Sequence, residues 1–179
     1  NGMFAFAFWD RKDKKLLLAR DRYGIKPLYY FQNEKKVVFA SEQKAILKQP
    51  SFDRVINKKA LLEYFTFQNI FTDQTLLKGI HLLRPGHYAI LDVANDKKKL
   101  THTRYWDYQF SEPENPGEEE EYLEELDRLF KQAVNRQLVS DVELGSYLSG
   151  GMDSGSITAI AAKSFPYLKT FTCGFDLSS

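Results

Sequence analysis

Short apolar runs separated by polar turns make up the first part of the chain. Residues 3–9 form an almost unbroken apolar run, which is typical of a strand buried on both faces. Further strands are predicted over residues 16–19, 27–31 and 37–40, each followed by a polar or charged segment. Because four short strands follow one another so closely, the pattern predicts an antiparallel meander.

Helical signals follow these strands. Ser41 is predicted to cap a helix over residues 42–48, which Pro50 ends. Asn57 is predicted to cap a second helix over residues 58–67. The apolar side of this second helix is predicted to consist of Leu61, Leu62 and Phe65.

The following segment is less regular. The pattern over residues 75–84 predicts an irregular connector with buried leucines. Residues 87–93 and 100–106 then predict a hairpin that turns around Asn95 and Asp96.

The composition changes over residues 107–121, where prolines, a glycine and many glutamates cannot supply a core and therefore predict a linker. An amphipathic helix is predicted over residues 118–138. Its inward-facing residues are predicted to be Leu123, Leu126, Phe130, Ala133 and Val134.

A strand, a loop, a helix and a second strand complete the sequence. The strands are predicted over residues 142–148 and 170–174, the glycine-rich loop over 149–155 and the helix over 156–164. This order predicts a parallel unit of an α/β sheet. The apolar side of the helix is predicted to consist of Ile157, Ile160 and Ala161.

Charge and composition narrow the class of function. The 179 residues carry a formal net charge of +1, whereas nucleic-acid binding needs a concentrated basic face. No run approaches the roughly 20 apolar residues of a membrane span, and no signal-peptide pattern stands at the start. The single cysteine, Cys173, allows no internal disulfide, which fits a reducing compartment. We therefore expect a soluble cytoplasmic protein.

The clearest chemical signal is the loop of residues 149–154, with the sequence Ser-Gly-Gly-Met-Asp-Ser. It joins a predicted strand to a predicted helix, where ligands of open α/β sheets bind. Glycines let successive backbone N–H groups converge on an anion, and the helix N-terminus adds a partial positive charge. Because Ser149 and Ser154 add hydroxyl donors, the loop suits phosphate oxygens.

A carboxylate distinguishes this loop from the Walker A loop. The lysine of the Gly-x-x-x-x-Gly-Lys-Ser/Thr pattern is missing. Asp153 would repel phosphates unless a cation stood between them, so it predicts Mg²⁺ shared with phosphate oxygens. The alternative is a serine–glycine turn without a ligand. A chance match is on the order of 10⁻⁴ to 10⁻³ in a chain of this length, which favours the binding interpretation.

The pattern Ser-Gly-Gly-x-Asp-Ser resembles the pyrophosphate loop of the N-type ATP pyrophosphatases. These enzymes cleave ATP between the α and β phosphates, adenylate a carboxyl or carbonyl oxygen, and let an amine displace AMP. The family usually has serine at the next position. This chain has Gly155 there, so one hydroxyl contact is weakened or passes to Ser156.

Three segments of the first half resemble the later part of a class II glutamine amidotransferase domain. They are Gly-Met-Phe-Ala-Phe-Ala at residues 2–7, Arg-Asp-Arg-Tyr-Gly-Ile-Lys-Pro-Leu-Tyr-Tyr at 20–30 and Ala-Ser-Glu-x-x-Ala-Ile at 40–46. Joined to the pyrophosphate loop, this half resembles the glutamine-hydrolysing asparagine synthetase family. Pro85-Gly86-His87 and Tyr105-Trp106 also fit that family.

This resemblance implies an α+β fold followed by an α/β fold. Residues 1–93 would be the later part of an N-terminal-nucleophile αββα sandwich, and residues 94–117 a hairpin end with an acidic, proline-containing linker. Residues 118–179 would begin an ATP pyrophosphatase domain with a parallel sheet. We expect the sequence to begin and to end inside these domains, because Asn1 leads directly into an apolar run and the parallel sheet needs further strands.

The implied reaction uses two sites. A glutaminase releases ammonia, and a synthetase converts aspartate and ATP to β-aspartyl-AMP, from which ammonia displaces AMP to give asparagine. Two alternatives remain. One is a related ATP-dependent enzyme, such as a β-lactam synthetase or a sugar-modifying amidotransferase; the other is a non-catalytic fragment. The resemblance also leaves a homodimer open.

ATP and Mg²⁺ are the implied cofactors. The residues that match the family's phosphate-holding positions are Ser149, Gly150, Gly151 and Ser154, and Asp153 matches the metal position. Leu148 and Cys173 match positions whose backbone meets the nucleotide, although the residues alone predict that Cys173 is a core thiol on a strand. No complete catalytic set is assigned, because the family's N-terminal cysteine nucleophile does not stand at Asn1.

Two further groups of polar residues have a structural and a functional interpretation. Arg20 and Asp21 are predicted to pair and so to fix a turn, the alternative being a domain interface near an ammonia tunnel. The histidines His81, His87 and His102 show no metal-ligand spacing, so no metal is assigned to them.

Overall fold

The computed structural model describes residues 2–50, 52–94, 99–114 and 116–174. It is a mixed α/β structure with antiparallel sheets, divided into two compact units, Asn1–Phe110 (unit 1) and Ser111–Ser179 (unit 2). The elements of unit 1, in chain order, are β1 (Ala5–Asp10), β2 (Lys15–Arg20), β3 (Tyr29–Gln32), β4 (Val37–Ala40), α1 (Gln43–Ile46), α2 (Lys58–Phe67), β5 (Ile80–Leu82), β6 (His87–Asp92) and β7 (Leu100–Arg104). Those of unit 2 are α3 (Glu119–Gln137), β8 (Gly145–Tyr147), α4 (Met152–Ser164) and β9 (Lys169–Phe171).

Unit 1 contains two antiparallel sheets. One has the order β1-β2-β6-β7, and the other has the order β4-β3-β5. The main core draws on both sheets, since Leu18 of β2 and Ala89 of β6 are fully buried together with Tyr30 of β3. A smaller cluster of Ile46, Phe52 and Ile80 lies beside the second sheet. Apolar burial of this kind is the main stabilising contribution to the unit.

The predicted single meander is wrong. β1 and β2 pair as a hairpin, but β2 then pairs with β6, while β3 pairs with β4 and β5. The predicted connector over residues 75–84 contains β5, which the sequence did not reveal because the strand has only three residues. The hairpin of β6 and β7 is confirmed, and its predicted turn at Asn95 and Asp96 lies outside the described residues.

The prediction that the first strand is buried on both faces is also wrong. In β1 the side chains of Phe6, Phe8 and Trp9 are exposed, Phe8 to 58%. β1 is an edge strand that pairs only with β2 among the described strands, so one of its two edges has no neighbouring strand.

The first two helices show which capping signals are decisive. α2 has the predicted bounds, and Asn57 Oδ1 accepts a hydrogen bond from the Ala60 N–H at 3.4 Å, as predicted. α1 is shorter than predicted, and its cap position is Glu42 rather than Ser41, with no side-chain cap bond. Leu62 and Phe65 of α2 are exposed, contrary to the prediction, because the helix buries only Ala60 fully.

In unit 2, β8 and β9 are parallel and Gly145 pairs with Lys169, so the predicted order of strand, helix and parallel strand is present. Both strands are shorter than predicted. Of the five residues predicted to face inward in α3, Val134 is buried and Phe130 is partly buried, whereas Leu123, Leu126 and Ala133 are exposed, so most of the prediction is wrong. Ile157 of α4 is likewise exposed, while Ala161 is buried. No helix in the described part of the chain is long and apolar enough to cross a membrane.

Candidate nucleotide-binding site

The loop predicted from the sequence lies between the C-terminal end of β8 and the N-terminus of α4. The helix begins earlier than predicted, at Met152 instead of residue 156, and Gly151 is its cap residue. Asp153 and Ser154 therefore stand in the first turn of the helix rather than in an open loop. The first N–H groups of a helix have no partner within it and carry a partial positive charge, so this turn offers several donors to an anion.

Gly150 gives the loop its shape. Its φ is +84°, in the left-handed region that glycine occupies without steric cost. A Cβ built at Gly150 or at Gly155 would have no atom within 4 Å, so the surface beside both residues is open. That open surface leaves room for a ligand to approach the backbone closely.

The two serines of the loop are hydrogen-bonded to one another. Ser149 Oγ lies 3.0 Å from Ser154 Oγ, which also accepts a bond from the Ser149 N–H at 3.2 Å. Ser154 Oγ donates to the Gly151 carbonyl at 3.1 Å. These bonds hold the two ends of the loop together. To bind phosphate oxygens as predicted, the hydroxyls must exchange these internal bonds for bonds to the ligand.

A second set of bonds fixes the ends of the two strands. The Leu148 N–H donates to the Phe171 carbonyl at 2.9 Å, and Thr172 Oγ1 donates to the Leu148 carbonyl at 2.7 Å. On the other side of β8, Ser146 Oγ lies 2.7 Å from Thr158 Oγ1 of α4. Sequence reasoning did not identify Thr172, because its partner lies 24 residues away. Its signal is the register of the parallel strands, which places it beside the residue preceding the loop.

The Asp153 carboxylate forms no hydrogen bond or ion pair with any residue that the structure describes. No group of three or more His, Cys, Asp or Glu residues in the described ranges could hold a metal ion unaided. A single free carboxylate beside a helix N-terminus is compatible with Mg²⁺, which takes one or two carboxylates and completes its shell with phosphate oxygens and water.

Cys173 lies beyond the end of β9 and is exposed. The prediction that it is a core thiol on a strand is therefore wrong, because the strand stops at Phe171. Its assignment as a backbone contact to a nucleotide remains a prediction. In its favour, Cys173 follows Thr172 at the same edge of the two-stranded sheet as Leu148.

Residues 1–106 match the family described as "Glutamine amidotransferase domain". The chain belongs to this family. Residues 125–179 of this amidotransferase-family chain match a second family, described as "Asparagine synthase". The pyrophosphate-loop candidate lies in that second segment.

Among the curated relatives of the amidotransferase-family chain are proteins named as glutamine-hydrolysing asparagine synthetases and one named as an amidase. It is 40% identical over 166 residues, 92% of its length, to asparagine synthetase [glutamine-hydrolyzing] 3 of Bacillus subtilis, of which it covers 26%. It is 32% identical over 180 residues, 98% of its length, to a putative asparagine synthetase [glutamine-hydrolyzing] 2 of Methanocaldococcus jannaschii, of which it covers 34%. It is also 33% identical over 167 residues, 90% of its length, to amidase chyE of Penicillium rubens, of which it covers 23%. The chain thus spans about a quarter to a third of the length of these relatives.

In the amidotransferase-family unit, the buried residues Arg20 and Asp21 hold the surrounding backbone in place. The two side chains do not form a direct ion pair; instead each bonds to backbone groups. Arg20 donates to the carbonyls of Gly24 at 2.6 Å, Lys26 at 2.7 Å and Leu83 at 2.7 Å. Sequence reasoning missed this arrangement, because Leu83 lies 63 residues away.

The Asp21 carboxylate is fully buried and accepts four backbone N–H groups, those of Phe4, Tyr23, Ile25 and Lys26, at 2.9–3.2 Å. Burial by itself raises the pKa of Asp21, but the four donors together outweigh it and hold that pKa below its usual value. Burial also lowers the pKa of the Arg20 guanidinium, and the neighbouring Asp21 opposes this effect. The prediction that these residues fix the turn is therefore confirmed. The predicted ion pair between them is wrong, because each side chain bonds to backbone groups instead.

Proposed function

We propose that this chain is part of a glutamine-dependent asparagine synthetase, a cytoplasmic ligase that makes asparagine from aspartate, ATP and the amide nitrogen of glutamine. The observation that carries the proposal is the junction of two features in one chain. An amidotransferase-family unit precedes a glycine turn that opens onto the N-terminus of α4 beside two parallel strands.

The proposed nucleotide site uses the loop and the strand ends. Ser149, Gly150, Gly151 and Ser154 would hold the pyrophosphate part of ATP through backbone N–H groups and hydroxyls. Leu148 and Cys173 would meet the nucleotide at the edge of the sheet. The open surface beside Gly150 supports this assignment, since a side chain there would occupy the approach to the backbone.

Asp153 would hold Mg²⁺, and the charge balance explains why. A triphosphate beside an unpaired carboxylate is repelled, and a divalent cation between them turns this repulsion into attraction. When bound, the cation would neutralise the charge on the leaving pyrophosphate. The chain's own contribution is to fix the carboxylate in the first turn of α4, within the same short segment as the phosphate-binding backbone.

We also propose the domain boundaries that the sequence suggested. Residues 1–93 would be the later part of an αββα amidotransferase domain, residues 94–117 a hairpin end and linker, and residues 118–179 the start of an ATP pyrophosphatase domain. Two observations support a division into two parts between residues 106 and 125: the family matches end at residue 106 and resume at residue 125, and the chain separates into compact units after Phe110.

The activity is tested on the whole protein by exchange of labelled pyrophosphate into ATP. Exchange requires reversible adenylation of a carboxylate, so the proposal predicts that it depends on aspartate. Because one relative is named as an amidase, a carboxylate substrate other than aspartate is the alternative to test. Exchange that is supported by another carboxylate and not by aspartate would establish a related ATP-dependent amide-forming enzyme instead.

A further inference from the structure

Unit 1 contains a polar cavity of about 260 Å³, and none of the residues of the nucleotide loop is among those that line it. It is lined by Tyr30, Asp73, Leu82, Leu83, Arg84, His87, His102 and Arg104. These residues come from β3, β5, β6, β7 and the segments beside them, so folding brings them together from a span of more than 70 positions.

Tyr30 is a mostly buried residue of the cavity wall. Only 7% of Tyr30 is exposed, and its hydroxyl forms no hydrogen bond with any residue in the described ranges. The ring is fixed by His81 and His102, whose ring centroids each lie 5.4 Å from its own. Burial raises the pKa of Tyr30 to about 12, so the hydroxyl stays protonated and can donate. Since the described residues include no buried side-chain oxygen or nitrogen without a partner, this hydroxyl is accessible to solvent and is free to bond to a ligand.

The charges around Tyr30 are mostly positive. Arg84 and Arg104 line the cavity together with His87 and His102, while Asp73 is the one carboxylate among its described lining residues. Asp73 is itself engaged, at 3.1 Å from His81 Nδ1 and 3.8 Å from an Arg84 nitrogen. Arg104 pairs with Asp107, which does not line the cavity, at 2.5 Å.

The imidazole of His87 is held by the backbone. His87 Nδ1 lies 2.7 Å from the Pro85 carbonyl, and since a carbonyl can only accept, Nδ1 carries the proton. In the neutral ring the other nitrogen, Nε2, is an acceptor, so it can accept a hydrogen bond from a protonated oxygen of a ligand.

His102 adds a group that responds to an anion. Burial lowers the pKa of His102; Asp73 opposes this effect, and the positive neighbours His87, His81 and Arg84 lower the pKa further. An anion among these groups would favour the protonated imidazole and so add a further donor.

We propose that this cavity is a second ligand site, which binds a small oxyanion of the size of phosphate. The Tyr30 hydroxyl, the Arg84 guanidinium and the His102 imidazole are its donors, and the apolar wall of Leu82 and Leu83 limits its size. The site lies wholly in unit 1 and does not depend on the proposed ATP loop.

The test is isothermal titration calorimetry of the whole protein with inorganic phosphate, against chloride at equal ionic strength. Arg84→Ala should weaken phosphate binding about tenfold or more, since charged hydrogen bonds contribute about 1.5–3 kcal/mol. Tyr30→Phe removes only the unpartnered hydroxyl and should weaken binding about fivefold without loss of folding. Arg11→Ala, on an exposed turn, and Tyr29→Phe, on the adjacent position of β3, are matched controls that should leave binding unchanged.

Three results would overturn the proposal. One is an equal response to chloride. Another is equal loss in Arg11→Ala and Arg84→Ala. The third is loss of phosphate binding in Gly150→Ala but not in Arg84→Ala or Tyr30→Phe, which would place the anion on the nucleotide loop.

Discussion

At the scale of single residues, two glycines near the start of α4 differ in what their backbone requires. Gly150 has a positive φ of +84°, whereas Gly155 lies inside the helix, where its N–H donates to the Gly151 carbonyl at 3.0 Å. Neither would bring a new Cβ within 4 Å of another atom. Any difference between their alanine variants therefore reports backbone conformation and not steric contact.

Gly150→Ala should lower the free energy of unfolding of unit 2 by about 1–2 kcal/mol, because an L-residue is strained in the left-handed region. Gly155→Ala, the matched variant, should raise it by up to about 1 kcal/mol through helix propensity. Urea unfolding followed by circular dichroism measures both. Equal effects of the two substitutions would show that the loop does not hold Gly150 in this conformation.

Asp21 is the other residue whose role is measurable alone. Asp21→Asn should destabilise unit 1 by about 1–3 kcal/mol at neutral pH, because an amide cannot accept from all four N–H donors and leaves some of them unpaired. Asp13→Asn, on an exposed turn, should change stability by less than about 0.5 kcal/mol. The comparison is made by chemical denaturation of the whole protein.

The same residue predicts a dependence on pH. The pKa of Asp21 is lower in the folded state than its usual value, so its contribution is present above about pH 3.9, the pKa of an unperturbed aspartate. That contribution is lost as the pH falls through the lower, folded-state pKa. The stability gap between the native protein and Asp21→Asn should therefore narrow with acidification; a gap that widened would contradict the assignment.

At the scale of elements, local signals predicted best. The cap at Asn57 predicted the start of α2, and the helical pattern predicted its end at Phe67. The pairing of β2 with β6 could not be predicted, because it joins residues about 70 positions apart and depends on the whole sheet. The phosphate-binding role of residues 149–154 stays a prediction. The helical first turn of this segment and the bond from Thr172 depend on the fold and were not predicted from the sequence.

Asn57→Ala should cost about 1 kcal/mol, since it removes the cap bond to the Ala60 N–H. It also removes the bond from Asn57 Nδ2 to Gln74 Oε1 at 2.9 Å. Asn57→Asp keeps the acceptor for the helix and loses only the donor to Gln74, so it should cost less. Thermal unfolding of the two variants separates the contributions; equal losses would assign the whole effect to Gln74.

At the scale of the whole molecule, the division into two units can be tested directly. The stretch between β7 and α3 contains no strand or helix in its described residues, and Glu112, Glu114 and Glu118 within it are exposed. A glutamate-specific protease should therefore cleave the whole protein first in this stretch. Glu63 within α2 is the internal control, because a helical site resists cleavage. Earlier cleavage at Glu63 would contradict the linker.

The central claim is that the loop before α4 binds the pyrophosphate part of ATP through a cation held by Asp153. The most direct test is Asp153→Asn in the whole protein, with aspartate-dependent pyrophosphate exchange and glutamine hydrolysis measured on the same preparation. The account predicts that exchange falls by about a hundredfold or more, as expected when a group that stabilises developing charge is lost, while glutamine hydrolysis persists. Equal loss of both activities, or exchange at the native rate, would contradict it.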